Sequence, residues 1–143
     1  MEWTPDALAE RIRARGLSPT VERIALDGGG KVHPALEYLM EDVDLGPDSP
    51  AREIIRNHSR DDLVPLWQSG TNVIFSTDDG GLLLWNAEVD EPWDQWPDFV
   101  GAVRYVLTDL WEDERADEEL VEVAALLLSD EADRAAALEL EQR

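Results

Sequence analysis

The chain has 143 residues, of which 33 are acidic and 12 basic, for a net charge of −21, and it contains no cysteine. That length suits one domain with a core that needs no disulfide or metal; the missing thiols exclude cysteine nucleophiles and cysteine-ligated zinc, and they fit a reducing, cytoplasmic setting. Residues 1–71 hold 8 basic and 13 acidic side chains, net −5, whereas residues 72–143 hold 4 and 20, net −16, a field that repels phosphate backbones and anionic lipid and accelerates encounter with basic proteins.

No direct nucleic-acid partner is therefore expected. Nor is a membrane one, since no run approaches the roughly 20 apolar residues of a span, and Met1 to Asp6 lacks the basic-then-apolar pattern of a secretory leader.

Thr4-Pro5 supplies a cap followed by proline at the first helical position, which predicts a helix over Asp6 to Arg15 closed by Gly16. Ser18-Pro19 repeats the signal ahead of Val21, Ile24 and Ala25, and Asp27-Gly28-Gly29-Gly30 then reads as a turn or flexible loop. His33-Pro34 opens an expected helix through Leu36, Leu39 and Met40. Asp42 to Pro50, with two prolines and a glycine, reads as a linker, and Arg52 to Arg60 as a short helix.

Three β-branched or aromatic runs follow: Leu63 to Trp67, Val73 to Thr77 and Leu82 to Trp85. Short turn segments join them, which predicts antiparallel hairpins, with Pro65 placing the first strand at an edge or a bulge. Phe99, Val103, Val106, Leu107, Leu110 and Trp111 have helical spacing. The acidic run Glu112 to Glu119 interrupts that apolar face, Leu120 to Leu128 resumes it, and Ser129-Asp130 caps a last helix predicted over Glu131 to Gln142. The class expected is α+β, a mostly antiparallel sheet flanked by N- and C-terminal helices. One domain spans 1–143, with a sheet core at about 63–87 and an acidic helical tail at about 98–143.

Catalytic patterns are weak. Gly28-Gly29-Gly30-Lys31 fails as a phosphate loop because Ala25 stands where glycine and Val32 where a hydroxyl would be needed. His33 and His58 lack zinc-site spacing, no G-x-S-x-G elbow occurs, and Asp42, Asp44 and Asp48 lack the glycine and closing glutamate of a calcium loop. Carboxylate pairs such as Asp61-Asp62 and Asp78-Asp79 are what so acidic a composition produces. No catalytic, cofactor-binding or metal-binding residue is assigned, and no enzyme activity is expected. The stretch Trp85 to Pro97 concentrates three of the six tryptophans among carboxylates. Large aromatics beside charge commonly anchor interfaces, so Asp90, Glu91, Trp93, Asp94 and Trp96, on an acidic loop, form the expected partner-binding patch.

The succession Leu63-Val64-Pro65-Leu66-Trp67, Val73-Ile74-Phe75, Gly81 to Glu88 with its Trp85-Asn86-x-Glu88, the acidic Pro92-Trp93 loop and the helix Phe99 to Glu112 resembles the SUKH superfamily (SMI1/KNR4-like). The resemblance covers Leu63 to Glu112. It departs in the N-terminal half, which lacks that family's leucine-proline stretch ending in asparagine-glycine, and in the added acidic helices after Asp113. It implies an α+β fold with a central mostly antiparallel sheet and the role of an immunity protein that binds and neutralises a toxin, its acidic field steering it to a basic catalytic face of that toxin. The alternative it implies is a regulatory adaptor without a toxin, using the acidic helices Asp117 to Glu141.

Overall fold

The computed structural model describes residues 2–140. The N-terminal part is built from helices with one recurring start. α1 (Pro5–Ala14), α2 (Pro19–Asp27) and α3 (Pro50–His58) each begin with proline behind a hydroxyl residue. The Oγ atoms of Thr4, Ser18 and Ser49 accept from the N–H groups of Ala7, Val21 and Arg52 at 3.2, 3.4 and 3.3 Å. Each cap satisfies an amide that the first turn leaves unpaired, and proline occupies a position whose missing N–H is no loss. The third start lies inside the stretch read as linker, so α3 begins two residues before the expected helix.

Between α2 and α3 the expected helix from His33 to Met40 is reduced to a 3-10 turn at Pro34–Leu36. The reason is competition for its backbone. Ala35 N–H donates to His33 Nδ1 at 3.1 Å, Gly29 N–H takes the Met40 carbonyl, and Glu41 pairs with Gln68 in both directions, at 2.7 and 3.0 Å. Chain drawn out to reach the sheet cannot remain coiled. The glycine run is correspondingly packed: Gly29 is buried within a 3-10 turn, Gly29–Lys31. A Cβ there would stand 2.7 Å from the Met40 carbonyl oxygen and 2.8 Å from the Leu36 Cβ, so glycine permits the close approach. The stretch after Glu41 is also pinned, with Val43 N–H on the Ala25 carbonyl at 2.8 Å and Asp44 N–H on Gln68 Oε1 at 2.7 Å.

Four antiparallel strands follow in the order β1 (Val64–Ser69), β2 (Asn72–Ser76), β3 (Leu82–Asn86) and β4 (Glu91–Trp96). β1 is an edge strand, and its register shifts between Pro65 and Trp67, the bulge expected of a proline that cannot donate. The sheet extends nine residues past the expected core limit at 87, through β4. The proline and carboxylates of this segment are poor strand formers and point to a loop; pairing with β3 overrides them.

The helices α4 (Phe99–Glu112), α5 (Asp117–Leu127) and α6 (Glu131–Ala137) complete the α+β fold. α6 ends at Ala137, so residues 138–140 of the expected last helix are not helical, and residues 141 and 142 of it lie outside the described residues. α4 covers the sheet face that carries Trp67, Ile74 and Leu84, while α3 meets the opposite face, where His58 stacks on Trp85 at 4.6 Å. β2 and β3 are consequently buried on both faces, which is why they read as unbroken apolar runs and not as alternating ones. The acidic helices are no appendage. Leu120, Val123, Ala124 and Leu127 join the same apolar cluster as Phe75 and Leu107, so truncation at Asp117 strips apolar cover and cannot serve as a neutral test of partner binding. Among the described residues, no helix is long and apolar enough to cross a membrane.

Leu120 is 1% exposed. Leu120→Ala is expected to lower unfolding stability by about 2–5 kcal/mol in urea denaturation, the range of buried leucine truncations; a loss below about 0.5 kcal/mol would show that α5 lies outside the cooperative core.

Candidate protein-binding site

The five residues of the expected patch lie on or beside β4, and the pairing of that strand sorts them. Asn86 faces Glu91, Trp85 faces Pro92, and Leu84 faces Asp94, so Trp93 is the residue that the register shift leaves without a partner. A bulge re-aims the side chain it carries. Trp93 is 55% exposed, and Glu91 and Asp94 on either side of it are exposed as well.

Asp90 and Trp96 are half-buried and have internal partners. Asp90 adopts a left-handed conformation with φ 54° at the β3–β4 turn, a region that aspartate enters more readily than most residues. Its Oδ1 lies 2.9 Å from His58 Nε2 and accepts the indole N–H of Trp85 at 3.1 Å. The His58 hydrogen bond is the main cause holding its pKa below the ordinary carboxylate value, against a smaller upward push from burial. The turn is thereby fastened to the end of α3. Trp96 packs on α4: its ring lies 5.2 Å from Tyr105, and a Cβ on Gly101 would come within 2.9 Å of its Cδ1.

The patch is thus an exposed tryptophan between two carboxylates, held by an aspartate staple at one end and a packed indole at the other. β4 is the free edge of the sheet, as Glu41 occupies the other edge beside Gln68. It is poorly prepared to pair with a further strand, because Pro92 has no N–H, the bulge breaks the ladder, and the Gln95 N–H already donates to Asp94 Oδ1 at 2.9 Å. These are the devices by which natural edges avoid aggregation. Side chains, not backbone, are what β4 offers to a partner.

Behind the strand, α4 presents further carboxylates. Burial, then the charges of Glu112 and Asp113, push the Asp109 pKa upward. Tyr105 is raised likewise by burial, then by Asp109, Asp94 and Glu112. On the other sheet face, Arg60 makes a bidentate pair with Asp62 at 2.8 and 3.0 Å, the chief cause of the lowered Asp62 pKa. Asp79 is lowered first by the Thr77 hydroxyl and then by the Gly81 N–H. The role of His58 was invisible in sequence, since it lies 32 residues before Asp90 and no spacing rule links them. Among the described residues, no three histidine, aspartate or glutamate side chains gather to hold a metal ion.

Comparison with family models, with curated proteins and with solved structures finds no match to this chain. What can be said of its class rests on its own geometry: an acidic α+β protein with one exposed tryptophan on a free sheet edge.

Asp90 and Asp109 generate opposite pH dependences. The depressed pKa of Asp90 contributes stability above the unfolded-state value of about 3.9, lost as pH falls through the lower folded value. The raised pKa of Asp109 is a penalty that is complete above its folded value and absent below about 3.9. Asp90→Asn should therefore lower the thermal midpoint at pH 7 and Asp109→Asn should raise it, with the Asp109 difference vanishing first on acidification in a calorimetric pH series. Midpoint shifts of the same sign at pH 7 would refute this assignment.

Proposed function

We propose that this chain is an acidic protein-binding module of the immunity type, which binds and neutralises a toxin that presents a basic face. The observation that carries the reading is Trp93, a large aromatic exposed at a bulge on an edge strand and flanked by Glu91 and Asp94. Exposing an indole beside charge favours no folded monomer by itself, whereas desolvating one at the centre of an interface typically contributes 2 kcal/mol or more. The charge supports a basic partner, as the half of the chain that contains β4 carries net −16 and steers oppositely charged proteins toward it. The resemblance of Leu63 to Glu112 to the SUKH superfamily supports a toxin as that partner.

Affinity capture with the tagged chain from a lysate of its source organism, followed by expression of the captured protein alone and together with this chain, tests the proposal. The expected outcome is a basic protein that arrests growth alone and spares it on co-expression. Trp93→Ala should weaken the complex by about 2 kcal/mol or more with an unchanged circular-dichroism spectrum, and association should slow at least about tenfold between low and physiological salt, where the Debye length is about 8 Å. Capture of a non-toxic partner would replace this reading with the regulatory adaptor, and a salt-independent rate would remove electrostatic steering from it.

A further inference from the structure

Between the β2–β3 turn and β4 lies an open cleft of about 710 Å³. Leu83, Trp85, Pro92 and Trp96 give it apolar walls, and Asp78 and Asp79 stand at its rim. Both aspartates are exposed, and none of the five ion pairs among the described residues uses either. Asp79 is held in place, since its Oδ1 accepts from the Thr77 hydroxyl and from the Gly81 N–H, the latter at 3.0 Å. Arg60 is the one cation of the lining; its bidentate partner is Asp62, and the charges of Asp78 and Asp79 act on it more weakly. One cation against two carboxylates leaves the lining net negative, and Pro92 with the half-buried Trp96 offers its accessible apolar surface.

We infer that this cleft receives an arginine side chain of the protein partner, its methylene stem against Pro92 and Trp96 and its guanidinium on the carboxylates of Asp78 and Asp79. A long cationic side chain is the occupant that answers both halves of the lining: an apolar group would leave the carboxylates unmatched, and an acidic one would be repelled. Arginine suits it better than lysine, because the planar guanidinium forks onto carboxylates, stacks on aromatic walls and is less strongly hydrated. Pro92 lines the cleft and directly precedes Trp93, so a segment crossing β4 meets the exposed indole and the cleft together. The inference rests on the protein-binding reading above and adds the chemistry of the contact.

Titration of the full 15N-labelled chain at low ionic strength with N-acetyl-arginine amide, and in parallel with its uncharged citrulline isostere, tests it. The expected result is shifts concentrated on the amides of Gly81, Leu83 and Gln95 and on the Trp85 indole N–H. Half-saturation should be about fivefold weaker for citrulline, the scale of an exposed ion pair, and weakened alike in Asp78→Asn, an exposed change that leaves the remaining spectrum in place. Shifts spread over α5 and α6 with none in the cleft, or an equal response to citrulline, would overturn the inference. Its failure is distinguishable from that of the proposed function: an empty cleft leaves capture of a toxin and its loss in Trp93→Ala standing, and capture of no toxin leaves the arginine titration still to be read.

Discussion

Strands β2 and β3 are buried on both faces, and the rest of the architecture answers that condition. Val73, Ile74 and Phe75 cannot all point to one side, since successive side chains alternate, yet none is more than 2% exposed. Each face must therefore carry a helical layer. α4 supplies one, through Phe99 against Trp67 at 6.3 Å and through Val106 near Ile74 and Leu84. The N-terminal elements supply the other, as far as the ring of His58 on Trp85. Where that second layer ends, the cleft begins, and where β4 extends beyond both layers its side chains face solvent. The proposed binding surface is thus the part of the sheet that the helices do not reach.

The acidic composition takes its meaning from this division. The apolar cluster runs through both halves of the chain, so most described carboxylates of residues 72–140 stand on the outside, in the β2–β3 and β3–β4 turns, on β4 and on the C-terminal helices. Some carboxylates have partners within the chain: Asp90 holds His58 and Trp85, Asp62 holds Arg60, and the exposed Asp98 and Asp130 cap the first turns of α4 and α6, accepting from Gly101 and Asp133 at 3.1 and 3.0 Å. Asp109 has no such partner among the described residues: burial first, and then the neighbouring charges of Glu112 and Asp113, raise its pKa. A concentration of like charge of this kind is relieved by a basic partner.

Several elements were legible in sequence because their signals are local. Thr4-Pro5 and Ser18-Pro19 announce helix starts through hydrogen bonds that close within three residues, and the spacing of Phe99 to Trp111 gives α4 to within a residue. Pro65 announced the bulge and the edge. The patch around Trp93 was legible as a composition of tryptophan and carboxylate, but as a loop, and the division of labour within it was not. That Asp90 staples a turn while Trp93 projects depends on a one-residue register shift opposite β3, and no property of Pro92, Trp93 or Asp94 taken alone specifies it.

The sequence by itself determined the class, the starts of α1 and α2, three of the four strands and the sign of the field, because each follows from short-range stereochemistry or from counting. Only the tertiary structure decided that residues 91–96 form a strand, that His33 to Met40 does not form a helix, that α5 and α6 belong to the core, and that Arg60, Asp79 and Trp85 meet around one cleft. Those outcomes depend on partners supplied from elsewhere in the chain. Gln68 draws Glu41 out of a coil, Leu82 to Asn86 impose extension on a segment rich in proline and charge, and packing against the shared core holds the acidic helices in place.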